Sequence, residues 1–150
     1  MSARQKFITA VIEQLGKPVL MGAVAPDAFD CSELVAWGVK QAGGKNQSGT
    51  HTAQRYHDET RKLLDIETPE PGDLGFYGAD GSHVVHVVIY LAGGHVLSAD
   101  GATRAIVDLE TAKKKGAAVR LHQNAGYYKS APFLGWHRNT FVDELDLVTR

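Results

Sequence analysis

The hydrophobic pattern of this 150-residue chain changes its period at one turn-forming segment, Pro69-Glu70-Pro71-Gly72. Before the turn, apolar residues recur at helical spacing in three segments, 4–15, 31–42 and 52–64. After the turn, segments rich in β-branched and aromatic residues predict strands at 73–77, 84–91, 103–107, 117–121 and 133–138. Helices first and strands afterwards predict an α+β fold, in which N-terminal helices pack on an antiparallel β-sheet.

Length and composition predict one domain over residues 1–150 and exclude several function classes. Sixteen basic residues against seventeen acidic ones leave a net charge of −1, which offers no basic surface to a nucleic acid or an anionic membrane. The single cysteine excludes an internal disulfide and a zinc site built on several thiolates. Charged residues interrupt the N-terminal apolar pattern, and no stretch reaches membrane-spanning length. We therefore expect synthesis in the cytoplasm without a signal peptide.

Cys31 stands at the predicted start of a helix. Asp30 followed three residues later by Glu33 forms a capping-box pattern, in which Asp30 is the N-cap and the Glu33 side chain reaches back to the Asp30 N–H. The unpaired N–H groups of a helix N-terminus lower the pKa of a thiol, and they can also bind an oxyanion. Cys31 is therefore a candidate nucleophile, although a free cysteine is also commonly a buried structural residue.

A general base has to come from one of seven histidines. His86 lies in the middle of the most strand-like segment, where a side chain is held rigidly. Regular alternation places Val85, Val87 and Ile89 on one face of that strand, and His86, Val88 and Tyr90 on the other. The alternative is a partly buried histidine with a structural hydrogen bond. His83 would point to the opposite face, so the two histidines make a poor metal pair, and we expect no metal site.

The same residues resemble the NlpC-type cell-wall peptidases, a bacterial branch of the papain-like cysteine hydrolases. The family's motifs are matched, in order, by Gly16–Ala23 with Pro26, Phe29-Asp30-Cys31-Ser32-Glu33-Leu34-Val35, Thr52-Ala53-Gln54-Arg55-Tyr56, Pro71-Gly72-Asp73-Leu74-Gly75-Phe76-Tyr77 and His86-Val87-Val88-Ile89-Tyr90-Leu91. The resemblance implies a papain-like NlpC-type fold that needs no cofactor. It also implies that Cys31 is the nucleophile and His86 the base, with Asp30, Ser32 and Glu33 beside the oxyanion and the substrate.

Three positions depart from the family pattern. Val19 stands where a tyrosine is common, and Glu33 stands where the family has glycine, so Glu33 could narrow or charge the site. The third polar residue of the family, twelve positions after the histidine, falls on Ser98. A hairpin predicted at Ala92-Gly93-Gly94 returns Ser98 beside the strand of His86. We expect Ser98 to hydrogen-bond the His86 ring nitrogen that faces away from Cys31, with Asp100 as the alternative orienting residue.

The resemblance implies hydrolysis of an amide in peptidoglycan stem peptides, of the D-γ-glutamyl–diamino acid endopeptidase type. A different amide, cleaved or transferred, is a second enzymatic reading. A non-enzymatic alternative is a binding or structural module with weak or no catalysis. With no secretory signal, we expect a phage-tail component or an effector delivered by a secretion machine, acting in the virion or at the periplasm and cell wall.

Overall fold

The computed structural model describes residues 1–20, 29–100 and 108–148. Within them the chain forms α1 (Ala3–Ile12), α2 (Cys31–Gln41), α3 (Ala53–Glu59), β1 (Arg61–Lys62), β2 (Leu74–Gly78), β3 (Val84–Tyr90), β4 (Val96–Asp100), α4 (Leu109–Lys115), β5 (Ala118–His122), β6 (Phe133–Arg138) and α5 (Thr140–Val148). Short 3₁₀ turns at 92–94 and 125–127 complete the described elements. The α+β class is confirmed. Across these ranges no helix has both the length and the apolar character needed to cross a bilayer.

The strands form one antiparallel sheet in the order β1-β6-β2-β3-β4-β5. The hairpin between β3 and β4 is confirmed, with Ile89 opposite Leu97. β6 lies in the interior of the sheet between β1 and β2, and does not close its edge. The predicted strand at 103–107 lies outside the described residues. The strict order of helices before strands is wrong, because α4 precedes β5 and α5 follows β6.

The N-terminal helices pack on the sheet through a buried apolar stripe of α2. Leu34 and Val35 belong to the same core cluster as Val87 and Ile89 of β3. α1 packs against α2 at Gly38, where a Cβ atom would stand 2.6 Å from the Phe7 ring. A glycine at this position therefore allows the two helices to approach closely. The result is a rigid support for the first turn of α2, which carries Cys31.

The strand that carries His86 contains a β-bulge. Tyr77 of β2 lies opposite His86, and the next residue of β2, Gly78, lies opposite Val84, so Val85 is the extra residue. Val84 is buried in the main core, whereas the Val85 side chain is 59% exposed. The predicted placement of Val85 on one face with Val87 and Ile89 is therefore wrong, because the bulge breaks the alternation at this residue.

Asp73, in the Pro-Gly-Asp motif, joins distant segments beneath the sheet. Its side chain is 0% exposed, and one oxygen accepts from Arg4 Nη1 at 2.9 Å and from the Asn139 N–H at 3.0 Å. The other oxygen accepts from Arg138 Nη1 at 2.7 Å and from the Glu70 N–H at 2.8 Å. Two guanidinium groups and two backbone amides thus compensate the buried charge. The motif aspartate has a structural role.

Candidate active site

Cys31 is the first residue of α2, as the sequence predicted. Asp30 is the N-cap, and its Oδ1 accepts from the Glu33 N–H at 2.7 Å and from the Ser32 hydroxyl at 2.9 Å. The backbone N–H groups of Val87 and Ser32 lie near the Cys31 sulfur and act to lower its pKa. The thiol is partly buried and reaches the cavity described below. The first turn of α2 is therefore held on one side by its own cap and on the other by β3.

Glu33 does not take the position that the capping-box pattern predicted. Its Oε1 accepts from the Gly49 N–H and its Oε2 from the Ser48 hydroxyl, each at 2.7 Å. The residue is 5% exposed, and it does not line the cavity beside Cys31. The carboxylate is turned toward the loop after α2, where it satisfies two donors. The expectation that Glu33 narrows or charges the substrate site is therefore wrong.

Val19, the second departure from the family pattern, is fully buried in the main core. Its backbone forms an isolated bridge with Phe29, two residues before Cys31. An apolar side chain at this position packs without leaving a polar group to satisfy. It therefore supplies no hydroxyl to the site.

His86 is buried on β3 directly after the bulge. Its ring stacks on Tyr128, with centroids 4.5 Å apart and an interplanar angle of 12°. Nε2 lies 2.9 Å from Ser98 Oγ and 3.0 Å from the Tyr127 hydroxyl. The structure thus brings Ser98 to the ring nitrogen as the hairpin argument expected. With Nε2 occupied by these two hydroxyls, Nδ1 is the ring nitrogen left to act on the thiol.

Asp100, the alternative orienting residue, does not hydrogen-bond His86 directly. Its Oδ1 lies 3.8 Å from His86 Nε2, beyond hydrogen-bond distance. The same oxygen accepts from the Tyr127 hydroxyl at 2.7 Å, and Oδ2 pairs with His122 Nε2. Ser98 therefore contacts His86 directly, and Asp100 connects to it through Tyr127.

Sequence reasoning missed Tyr127, Tyr128 and His122. The two tyrosines lie at the end of the 125–127 turn and just after it, and a tyrosine pair in a loop has no diagnostic spacing. His122 closes β5, whose register places it opposite Val96 on β4. Only the pairing of β4 with β5 brings it near Asp100, so no local pattern could have identified it.

Cys31 and His86 open onto one cavity of about 490 Å³. The cavity is lined by Asp30, Cys31, Ser32, Thr52, Ala53, Val84, Val85, His86, Ala99, Asp100, Tyr127, Tyr128, Lys129 and Ser130. Two carboxylates and one lysine give this lining its charge. Within residues 1–20, 29–100 and 108–148, no group of three or more His, Cys, Asp or Glu side chains could hold a metal ion. The thiol and the imidazole thus share one cavity of the size that binds ligands in other proteins.

Burial dominates the protonation of both groups. It raises the pKa of the Cys31 thiol to about 12, with the Asp30 charge adding to the effect and the surrounding N–H groups opposing it. It lowers the pKa of His86 to about 4, against the attraction of Asp100 and with a smaller contribution from His122. At neutral pH these shifts favour a thiol beside a neutral imidazole. Burial thus opposes the lowering of the thiol pKa that the helix N-terminus was expected to give.

Known proteins resemble this chain over a segment that includes these site residues. A family model described as "NlpC/P60 family" matches residues 16–126. A protein of Listeria grayi described as "Probable endopeptidase p60" is 37% identical over 87 residues, which are 58% of this chain and 16% of that protein. The chain thus spans about a sixth of the length of this curated relative.

Solved structures share the fold. NlpC1 from Trichomonas vaginalis superposes with a TM-score of 0.68 at 21% identity, over 91% of this chain and 44% of that one. RipB from Mycobacterium tuberculosis, described as a peptidoglycan hydrolase, gives a TM-score of 0.63 at 22% identity, over 91% of this chain and 64% of that one. The family match covers more than half of the chain and includes both Cys31 and His86. On this match and this fold, the chain belongs to the NlpC/P60 family.

Proposed function

We propose that this chain is a cysteine endopeptidase that cleaves an amide bond in peptidoglycan stem peptides, of the D-γ-glutamyl–diamino acid type. The observation that carries the proposal is the shared cavity, where Cys31 at a helix N-terminus and His86 with its Nε2 occupied face the same space. Membership of a family with members described as endopeptidases supports the reaction class. The substrate follows from the resemblance of the motifs to cell-wall peptidases.

The first half of the reaction forms a thioester. Nδ1 of His86 accepts the proton of the Cys31 thiol as the sulfur attacks the carbonyl carbon of the amide. Backbone N–H groups in the first turn of α2, including that of Ser32, stabilise the oxygen as it becomes negative. The tetrahedral intermediate collapses when the imidazolium returns the proton to the departing amine. Proton transfer accompanies attack, since thiol and imidazole are both neutral beforehand.

The second half hydrolyses the thioester. A water molecule gives one proton to His86 and attacks the same carbonyl carbon, so that a second oxyanion forms in the same place. Its collapse releases a carboxylic acid and regenerates the Cys31 thiol as His86 returns the proton to sulfur. Each group ends as it began, and the reaction consumes one water per bond.

Two residues beside the nucleophile have distinct parts in this proposal. The Ser32 hydroxyl donates to Asp30, so Ser32 offers its backbone N–H and not its side chain to the oxyanion. Asp30 lines the cavity and caps the helix at the same time. Lys129 also lines the cavity and provides a positive charge that suits the free carboxylates of a stem peptide. Glu33 takes no part.

Digestion of purified peptidoglycan, followed by mass spectrometry of the released fragments, tests the proposal. The expected products have a new amine on the diamino acid and a new γ-carboxyl on glutamate. Cys31→Ala should abolish cleavage with an unchanged circular dichroism spectrum, and His86→Ala should lower kcat at least about a hundredfold. His83→Ala is the matched control, because His83 has a 70% exposed side chain that pairs with Asp80.

Other outcomes separate the alternatives. Cleavage at another amide, with the same dependence on Cys31, would replace the substrate and keep the chemistry. Retention on insoluble peptidoglycan without cleavage would favour a binding module. Activity that survives in Cys31→Ala would refute the proposal. Association with a phage tail or a secretion machine, and action outside the cytoplasm, stay predictions.

A further inference from the structure

The Tyr127 hydroxyl stands between the catalytic imidazole and a carboxylate. It lies 3.0 Å from His86 Nε2 and donates to Asp100 Oδ1 at 2.7 Å. A phenol has one proton to donate, and an ionised carboxylate can only accept. Since the phenol proton points to Asp100, the phenol oxygen is left to accept from His86. The proton between His86 and Tyr127 therefore belongs to Nε2.

Ser98 by itself does not select a tautomer of His86. A serine hydroxyl can donate to an unprotonated Nε2 as readily as it can accept from a protonated one. Its Oγ lies 2.9 Å from Nε2, and its hydroxyl acts to lower the pKa of Tyr127, so the two hydroxyls are neighbours. The direction of this small network is fixed only where it ends at a group that cannot donate. That group is Asp100.

We propose that Tyr127 and Asp100 act together as positioning residues that hold His86 in the Nε2–H tautomer. Nδ1 is then unprotonated and available to accept the proton of Cys31. When His86 becomes an imidazolium, Asp100 Oδ1 lies within ion-pair distance of its Nε2, 3.8 Å, and the phenol bridges the two groups by hydrogen bonds. The pair thus fixes the tautomer of His86 and places a negative charge near Nε2, neither of which a lone serine in the family's third position can do.

His122 holds this pair in place from β5. Its ring stacks on Tyr127 with centroids 3.6 Å apart and an interplanar angle of 5°, and its Nε2 pairs with Asp100 Oδ2. One side chain therefore contacts both members of the pair. Tyr77 and Tyr128 pack on the other sides of the Tyr127 ring. The phenol is oriented before any substrate arrives, as a positioning role requires.

The catalytic part of this inference rests on the proposed function, but the tautomer can be measured in the resting protein without substrate. Imidazole ¹⁵N NMR of histidine-labelled protein at pH 7 should show His86 with a proton on Nε2. In Tyr127→Phe, and independently in Asp100→Asn, the signal should move toward the Nδ1–H form, because Ser98 can then donate to Nε2. Tyr128→Phe should keep the Nε2–H form, although it also loses one phenol oxygen beside His86.

Kinetics with peptidoglycan fragments provide the second measurement. Tyr127→Phe should lower kcat at least about tenfold with little change in KM, below the roughly 10⁴-fold cost of a triad histidine held in the wrong tautomer. The double variant with Asp100→Asn should be no slower than the slower single variant, because both act through one path. In the variants with Asp100→Asn, the acid limb of the kcat/KM profile should move to lower pH. The reason is that the Asp100 charge no longer stabilises the His86 imidazolium, whereas Cys31 and His122 are unchanged.

The two proposals can fail separately. An Nδ1–H signal in the wild-type protein would overturn the positioning role, whatever the enzyme cleaves. An unchanged Nε2–H signal in both Tyr127→Phe and Asp100→Asn would also overturn it. An Nε2–H signal that depends on Tyr127, in a protein that cleaves no peptidoglycan, would support the positioning role and count against the proposed substrate.

Discussion

Asp73→Asn should remove much of the protein's stability while leaving the cavity intact. The carboxylate is fully buried, and four donors surround it: Arg4, Arg138 and the N–H groups of Glu70 and Asn139. An amide of the same shape keeps one acceptor oxygen and turns an NH₂ group toward two of these donors. It also leaves two guanidinium groups without their shared buried counter-charge.

The size of the loss follows from these contacts. Removing one partner of a buried ion pair costs about 3–5 kcal/mol. Without Asp73, Arg4 keeps only Asp143, and Arg138 keeps only Glu67 and Glu70, among the carboxylates that the described residues place beside them, and these are more exposed than Asp73. A domain of this size has a total stability of about 5–15 kcal/mol. The variant should therefore lose about a fifth or more of it. At about 2–4 °C per kcal/mol, the melting temperature should fall by roughly 6–20 °C.

Urea unfolding followed by tryptophan fluorescence measures this loss. An unchanged m value would show that the variant and the wild-type protein expose the same surface on unfolding. Asp80→Asn is the matched control, because this aspartate is exposed and binds His83 and the Ser82 N–H. It should lower the free energy of unfolding far less than Asp73→Asn does. If Asp73→Asn cost as little as the control, the argument that Asp73 joins the distant segments would be refuted.

Burial lowers the pKa of both His86 and His137 to about 4, whereas a histidine in the unfolded chain titrates near 6.5. Between about pH 4 and pH 6.5 the unfolded chain therefore binds more protons than the folded protein does. The free energy of unfolding should therefore fall by up to roughly 3 kcal/mol per histidine as pH drops through that window. Urea titrations should show this, and His137→Gln should flatten the profile. Since burial raises its pKa, the Cys31 thiol should react with iodoacetamide more slowly than free cysteine at pH 7 and faster at alkaline pH. An alkylation rate that does not change between about pH 5 and pH 8 would instead indicate a thiolate–imidazolium pair. Lys129→Ala should raise KM for carboxylate-bearing stem peptides up to about fivefold, with Lys129→Arg restoring it; an unchanged KM would show that the charge does not contact substrate.

Local signals in the sequence predicted the parts of the site that depend on neighbouring residues. The start of α2 at Cys31 follows from Asp30, whose side chain caps the helix as residue type and spacing indicated. The hairpin that returns Ser98 to His86 follows from two β-rich segments around a pair of glycines. In each case the determining interaction spans only a few residues, or a turn.

The parts that were not predicted depend on contacts between segments far apart in the chain. Tyr127 reaches His86 only because the loop before β6 folds over β3 and β4. Glu33 has a capping-box position, yet its carboxylate accepts hydrogen bonds from donors at residues 48 and 49 and does not reach back to the N-cap. The thiol pKa also depends on how deeply the assembled fold covers Cys31, which helix position alone does not reveal.

The bulge in β3 determines which changes of chain length this strand can tolerate. Deleting Val85 would remove the bulge, so that Val84 opposite Gly78 would directly precede His86 opposite Tyr77, and the local bend that the extra residue gives β3 would be lost. A substitution at Val85 leaves that bend intact, because its side chain faces outward at the rim of the cavity. At position 85 the strand therefore needs a residue more than it needs a valine: substitutions there should be tolerated, whereas a one-residue deletion should change how His86 is presented to the cavity.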